Sequence, residues 1–160
     1  MRTIIVGVGN RILGDDAVGV HVVNELKKHV NHPDVTIEEA STGGLNLVDL
    51  ILGYDKAIII DALKTEEEVE GEVKRITLDE LSYIHSCNLH DSSFIEAVKI
   101  VEMIDKQLIP KEIIIIGVIV KKQPCEFKEG LSSKISASVL EAVRMTLVEL
   151  NSVNPIQKNI

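Results

Sequence analysis

Apolar residues along this chain fall into short dense runs, and between most of the runs they thin out to helical spacing. Runs at residues 3–8, 35–40, 57–60, 72–77 and 113–120 predict five strands. Residues 57–60 and 113–120 are almost continuously apolar, as strands covered on both faces are. Residues 72–77 alternate charged with apolar positions, the pattern of an edge strand, which is open to antiparallel pairing. Val18, Val22, Leu26 and Val30 recur four apart and predict a helix over 15–29, and similar patterns predict helices over 46–52, 93–107 and 132–151. Ser93 with Glu96 has capping-box spacing, which gives the third helix a starting mechanism. Strands alternating with helices read as an α/β sandwich. Residues 65–71 form an acidic solvated turn, and 82–92 and 121–130 are longer loops. One domain is expected over 1–153, with 154–160 a frayed tail.

Composition narrows the function classes. A chain of 160 residues with 45% hydrophobic residues can bury a proper core without disulfide staples. A net charge of −8 argues against nucleic-acid and anionic-membrane partners, whose usual footprint is a basic patch. Two cysteines, Cys87 and Cys125, are too few for a secreted disulfide framework and lack the paired spacing of a structural zinc site. A reducing cytoplasm is the expected location. The first apolar run is too short for a signal peptide and the longest, 113–120, too short to span a bilayer, so no membrane insertion is expected.

Candidate chemistry gathers in the loops. Gly7, Gly9 and Gly14 punctuate the turn after the first strand and deliver Asp15 and Asp16 to the start of a helix, where negative charge is favoured. Helix capping accounts for Asp15; Asp16 is less easily dismissed. A dinucleotide fingerprint needs a third glycine where Ile12 stands, and two aspartates point at the place of the pyrophosphate, although Glu38 or Glu39 could supply the ribose-binding acid. Asp61 closes the run 57–60 and so lies at the carboxyl edge of a central strand, where open parallel sheets bind ligands. His90 sits in the loop directly before the third long helix, at the same edge. Two carboxylates and an imidazole suit a borderline divalent metal with positions left open. Cys87 and His90, three apart, could form a thiol nucleophile and base, but no orienting partner is visible.

Taken in order, several segments resemble the hydrogenase maturation endopeptidases, which trim the C-terminal extension of nickel–iron hydrogenase large subunits. They are the loop from Gly7 to Gly19, the turn Ser41-Thr42-Gly43-Gly44-Leu45 leading into Leu47-Val48-Asp49-Leu50, Ile60-Asp61-Ala62, the loop histidine, and Gln123-Pro124 followed by Gly130-Leu131-Ser132. The resemblance implies a three-layer αβα sandwich with a mixed, mostly parallel five-stranded sheet. It implies an aspartyl-type peptidase whose metal-binding and catalytic set is Asp16, Asp61 and His90. Gly9, Asn10, Thr42 and Gly43 would touch substrate. Nickel would arrive with the large-subunit precursor, with no organic cofactor. A non-catalytic nickel- or hydrogenase-binding chaperone would need the same ligands and is the alternative.

Overall fold

All five apolar runs become strands in the computed structural model, which describes residues 1–41, 43–81, 89–121 and 127–152, with the backbone alone for 89–93. Strands β1 (Thr3–Val8), β2 (Val35–Ala40), β3 (Lys56–Lys64), β4 (Val73–Thr77) and β5 (Glu112–Val120) form one sheet in the order β2-β1-β3-β5-β4. Every pairing is parallel except β4 on β5, so the expected edge strand is antiparallel. The sheet is mixed and mostly parallel, as expected.

Alternation along the strands sends side chains to two separate cores. Ile4, Val6, Ile59 and Ile115 pack under Leu47, Val48 and Ile51 of α2 (Gly44–Ile51) and under Phe94, Ala97 and Val98 of α4 (Leu89–Asp105). Ile5, Ile58, Ile60 and Ile116 pack under Val22 and Val23 of α1 (Val18–Leu26) and under Ile135, Ala142 and Val143 of α5 (Ser133–Asn151). Helices on both faces of a sheet make the three-layer αβα sandwich.

Several boundaries differ from the sequence reading. The expected helix over 15–29 is a 3-10 turn at Gly14–Ala17 followed by α1, which ends at Leu26. Beyond it, Lys28 and His29 donate to carbonyls only three residues back, the tightened pattern of a closing helix. Strand β3 continues through Asp61 to Lys64, because Ala62, Leu63 and Lys64 still find partners in Val118, Ile119 and Val120 of β5. Helix α4 begins at Leu89, four residues before Ser93, so the Ser93–Glu96 pair lies inside the helix and does not open it. A short helix α3 (Leu78–Leu81) was not expected. Its signal is nevertheless local. Thr77 Oγ1 accepts the Glu80 N–H at 3.3 Å while Glu80 Oε2 accepts the Thr77 N–H at 2.8 Å, a reciprocal capping box.

At the amino edge of the sheet, Lys56 is the largest buried surprise, with a side chain only 1% exposed. Its Nζ lies 3.0 Å from Glu112 Oε2 and 3.1 Å from Glu149 Oε2, and Arg75 braces Glu149 from the other side. Burial works to raise the Glu149 carboxyl, but Arg75 and Lys56 outweigh it and hold the group below the usual carboxylate range. An unfolded chain therefore protonates this glutamate first. The stability it contributes is present above about pH 4.5 and is lost as pH falls through the lower folded value. Glu149→Ala is expected to cost about 3 kcal/mol in urea unfolding, the low end for breaking a buried pair because Glu112 remains. Lys56→Met is expected to cost under about 1 kcal/mol, since it removes the buried charge and leaves Glu149 with Arg75. Equal losses in the two variants would refute this asymmetry.

Candidate active site

Each candidate loop owes its position to a strand end. Strand β1 stops at Val8, and Gly9 then passes so close under the following turn that a Cβ on it would stand 2.2 Å from the Asp16 carbonyl oxygen. Only glycine lets the chain fold back there. Asn10 shapes the next step: its Oδ1 accepts the Ile12 N–H at 3.2 Å, and its carbonyl accepts the Leu13 N–H at 3.0 Å. The loop is also stapled to a distant segment, with the Gly14 N–H donating to the Lys128 carbonyl and the Lys128 N–H to that of Ile12.

The two adjacent aspartates take different roles. Neither caps the helix that follows them, contrary to the expectation for Asp15. Asp15 Oδ1 instead accepts the Ser132 N–H at 2.7 Å, and Ser132 is the N-cap of α5, so this carboxylate sits at the positive end of a different helix. Sequence separation hid that partner, because the two are 117 positions apart. Asp16 turns toward the sheet edge. Its Oδ2 accepts the Asn10 N–H at 3.0 Å, and its Oδ1 lies 3.0 Å from Nζ of Lys64, the last residue of β3. Lys64 was not among the expected site residues; a lone lysine closing an apolar run carries no local signal.

Asp61 lies within β3 rather than at its end, one residue past Gly7–Ile60, the last pair between β1 and β3. It therefore keeps its place at the carboxyl edge of the β1–β3 pair while β5 still flanks it through Gly117. Strand alternation turns it toward the α2 and α4 layer. There it lines a cleft with Val8, Gly43, Leu47, Ile59, Leu63, Leu81, Phe94 and Ile115, and among the described residues it is the only ionisable one in that lining. Its Oδ1 accepts the Ala62 N–H at 2.8 Å.

His90 is the second residue of α4 and not a loop residue, since the helix starts earlier than expected. Strand β4 runs antiparallel and ends at the amino edge, yet α4 must run back down to feed the parallel strand β5, so its N-terminus lies at the carboxyl edge. Position 90 is one helical turn before Phe94, which lines the Asp61 cleft. The side chain at 90 lies outside the described residues, as do Thr42, Cys87, Cys125, Gln123, Pro124 and the tail 154–160. Gly43 borders the cleft as the N-cap of α2. Among the described residues no three His, Cys, Asp or Glu side chains gather closely enough to hold a metal ion, and the His90 imidazole is not in that set.

Of the two acids offered for a ribose, Glu39 is engaged elsewhere. Ile12, at the third-glycine position, is 45% exposed, and Glu39 at the end of β2 is bound by Arg11 at 2.6 Å and Lys27 at 3.7 Å. Burial tends to raise the Glu39 carboxyl, but these cations keep it below its ordinary value. No helix among the described residues is long and apolar enough to cross a membrane.

A profile of the hydrogenase maturation protease family matches residues 20–149 of the chain. The chain belongs to that family. A Methanocaldococcus jannaschii protein named as a candidate hydrogenase maturation protease is 31% identical over 153 residues, covering 92% of this chain and 95% of its own. The hydrogenase 2 maturation protease of Escherichia coli is 26% identical over 153 residues, covering 94% and 91%. Among solved structures, the Escherichia coli hydrogenase maturating endopeptidase HybD shares the fold with a TM-score of 0.82 at 23% identity, over 96% of this chain and 94% of that one. The stretch matched to the hydrogenase maturation proteases contains Asp61 and position 90 but begins after Asp16. The first loop therefore rests on its own geometry and on the longer alignments with individual relatives.

Proposed function

We propose that the protein is an endopeptidase that removes the C-terminal extension of a nickel–iron hydrogenase large-subunit precursor once nickel is in place. The observation that carries this reading is Asp61, an ionisable side chain in a cleft whose other described lining residues are apolar or glycine, at the carboxyl edge of a protease-family fold. Charge in such surroundings interacts more strongly than it does in water, which is what a reacting carbonyl requires. Asp16 stands where β1 turns over the same edge, and position 90 opens the helix whose Phe94 lines the cleft.

Two hard carboxylate oxygens and one imidazole suit a borderline divalent ion such as nickel, and three ligands leave positions for a metal that is still held by its precursor. In this reading nickel is part of the substrate, and Asp16, Asp61 and His90 recognise it. Nickel so held would polarise the scissile carbonyl or acidify an attacking water. In this reading Asp61, which faces the cleft, takes the proton from that water.

The test compares precursor made with nickel against precursor made without it, each mixed with chelator-treated enzyme. Shortening of the nickel-loaded precursor alone, seen on a gel, is the expected result. Cleavage of both would end the nickel-reading step, and tight binding without shortening would mark the protein as a maturation chaperone.

A further inference from the structure

Lys64 occupies a place that the proposed reaction has not used. It is the last residue of β3, paired with Val120, and its side chain is 33% exposed against 23% for Asp16. Its ammonium lies 3.0 Å from Asp16 Oδ1, while the other oxygen of that carboxylate takes the Asn10 N–H at 3.0 Å. Both oxygens of the aspartate are therefore engaged before any metal arrives. Divalent first-row ions bind carboxylate oxygen at about 2.0–2.2 Å, so an ion on Oδ1 would press against the lysine or have to expel it.

The opposing charge matters more for some forms of the metal than for others. An aqua ion brings its full double charge toward the ammonium, in a partly desolvated site where charges are screened less than in bulk water. A metal already wrapped in anionic ligands has most of that charge cancelled. Lysine also carries a compact charge on a flexible four-carbon stem, so it can swing toward solvent once a larger complex docks.

We propose that Lys64 is a specificity-determining residue: its ammonium keeps free divalent cations off Asp16 and leaves the site to a metal held by anionic ligands. This rests on the reading of Asp16 and Asp61 as groups that meet the metal, and the test separates the two ideas.

The full chain, freed of metal, is titrated with nickel chloride by calorimetry, using wild type, Lys64→Met, Lys64→Gln, Lys64→Arg, Asp16→Asn, Asp61→Asn and the Lys64→Met/Asp16→Asn double variant. Circular dichroism checks the fold of each. Both neutral replacements of Lys64 are expected to tighten nickel binding by about tenfold, the scale of partners just outside a metal's ligands. Lys64→Arg should bind as wild type does, and adding Asp16→Asn should abolish the gain. Folded Lys64→Met and Lys64→Gln that bind no more tightly than wild type would overturn the role of Lys64, even while Asp61→Asn weakens binding and keeps the ligand reading alive. A gain that survives Asp16→Asn would also overturn it, since the lysine would then act on some other group. Nickel binding unchanged in both Asp16→Asn and Asp61→Asn would remove the ligand reading and the proposal together.

Discussion

Asp61→Asn is expected to lower precursor processing by on the order of a thousandfold, the range found when a positioned proton acceptor is lost. The replacement keeps shape and size but removes the negative charge, so the apolar lining formed by Val8, Leu47, Ile59, Leu63, Leu81, Phe94 and Ile115 is left intact. Asparagine can also still accept the Ala62 N–H through its carbonyl oxygen. Stability should therefore change by less than about 1 kcal/mol, and single-turnover cleavage of nickel-loaded precursor should separate the loss of chemistry from the loss of binding. Processing within tenfold of wild type would remove Asp61 from the reacting groups. The parallel substitutions Asp16→Asn and His90→Ala test the remaining members of the set.

Gly19→Ala should give the largest loss of stability of any single methyl addition considered. A Cβ at this position would stand 2.2 Å from the Ile60 carbonyl oxygen and 2.5 Å from that of Val8, and both atoms belong to the sheet backbone. Neither can rotate away. Helix α1 would have to lift off β1 and β3, opening the core that Val22, Val23 and Leu26 share with Ile5 and Ile58. A cost above about 4 kcal/mol is expected, enough to unfold a marginal domain. Gly53→Ala is the control: its φ of +76° is unfavourable for alanine, but nothing lies within 4 Å, so only the backbone penalty of about 1–2 kcal/mol applies. Similar urea midpoints for the two variants would show that close approach is not what requires glycine at 19.

The layered architecture was legible because the core is built from strongly periodic segments. The run at 113–120 is eight residues long and almost all β-branched, which favours a covered strand over a buried helix, and the charged alternation at 72–77 announced an edge strand. Motif order likewise carried the family, since Gly7 to Gly19, Asp61 and the histidine at 90 could be compared one by one. Boundaries were less legible wherever partners from elsewhere extend an element. β3 runs past its charged residue because β5 offers hydrogen bonds up to Val120, and α4 starts before its apparent capping box.

What the sequence by itself determined is therefore the five strands and the four longer helices, the two-sided burial of the sheet and the identity of the carboxylates at its edge. All of these follow from local periodicity and from glycine spacing, which act within a few residues. Only the tertiary structure decided how those carboxylates are used. Asp15 is spent on Ser132, the N-cap of a helix, 117 positions along the chain, Asp16 meets a lysine from the end of β3, and Asp61 turns into a largely apolar cleft. The buried Lys56 is explained in the same way, because its acidic partners Glu112 and Glu149 are distant in sequence and meet it only when β3, β5 and α5 assemble. Such pairings depend on which charges share a small, partly dry volume, and sequence proximity says nothing about that.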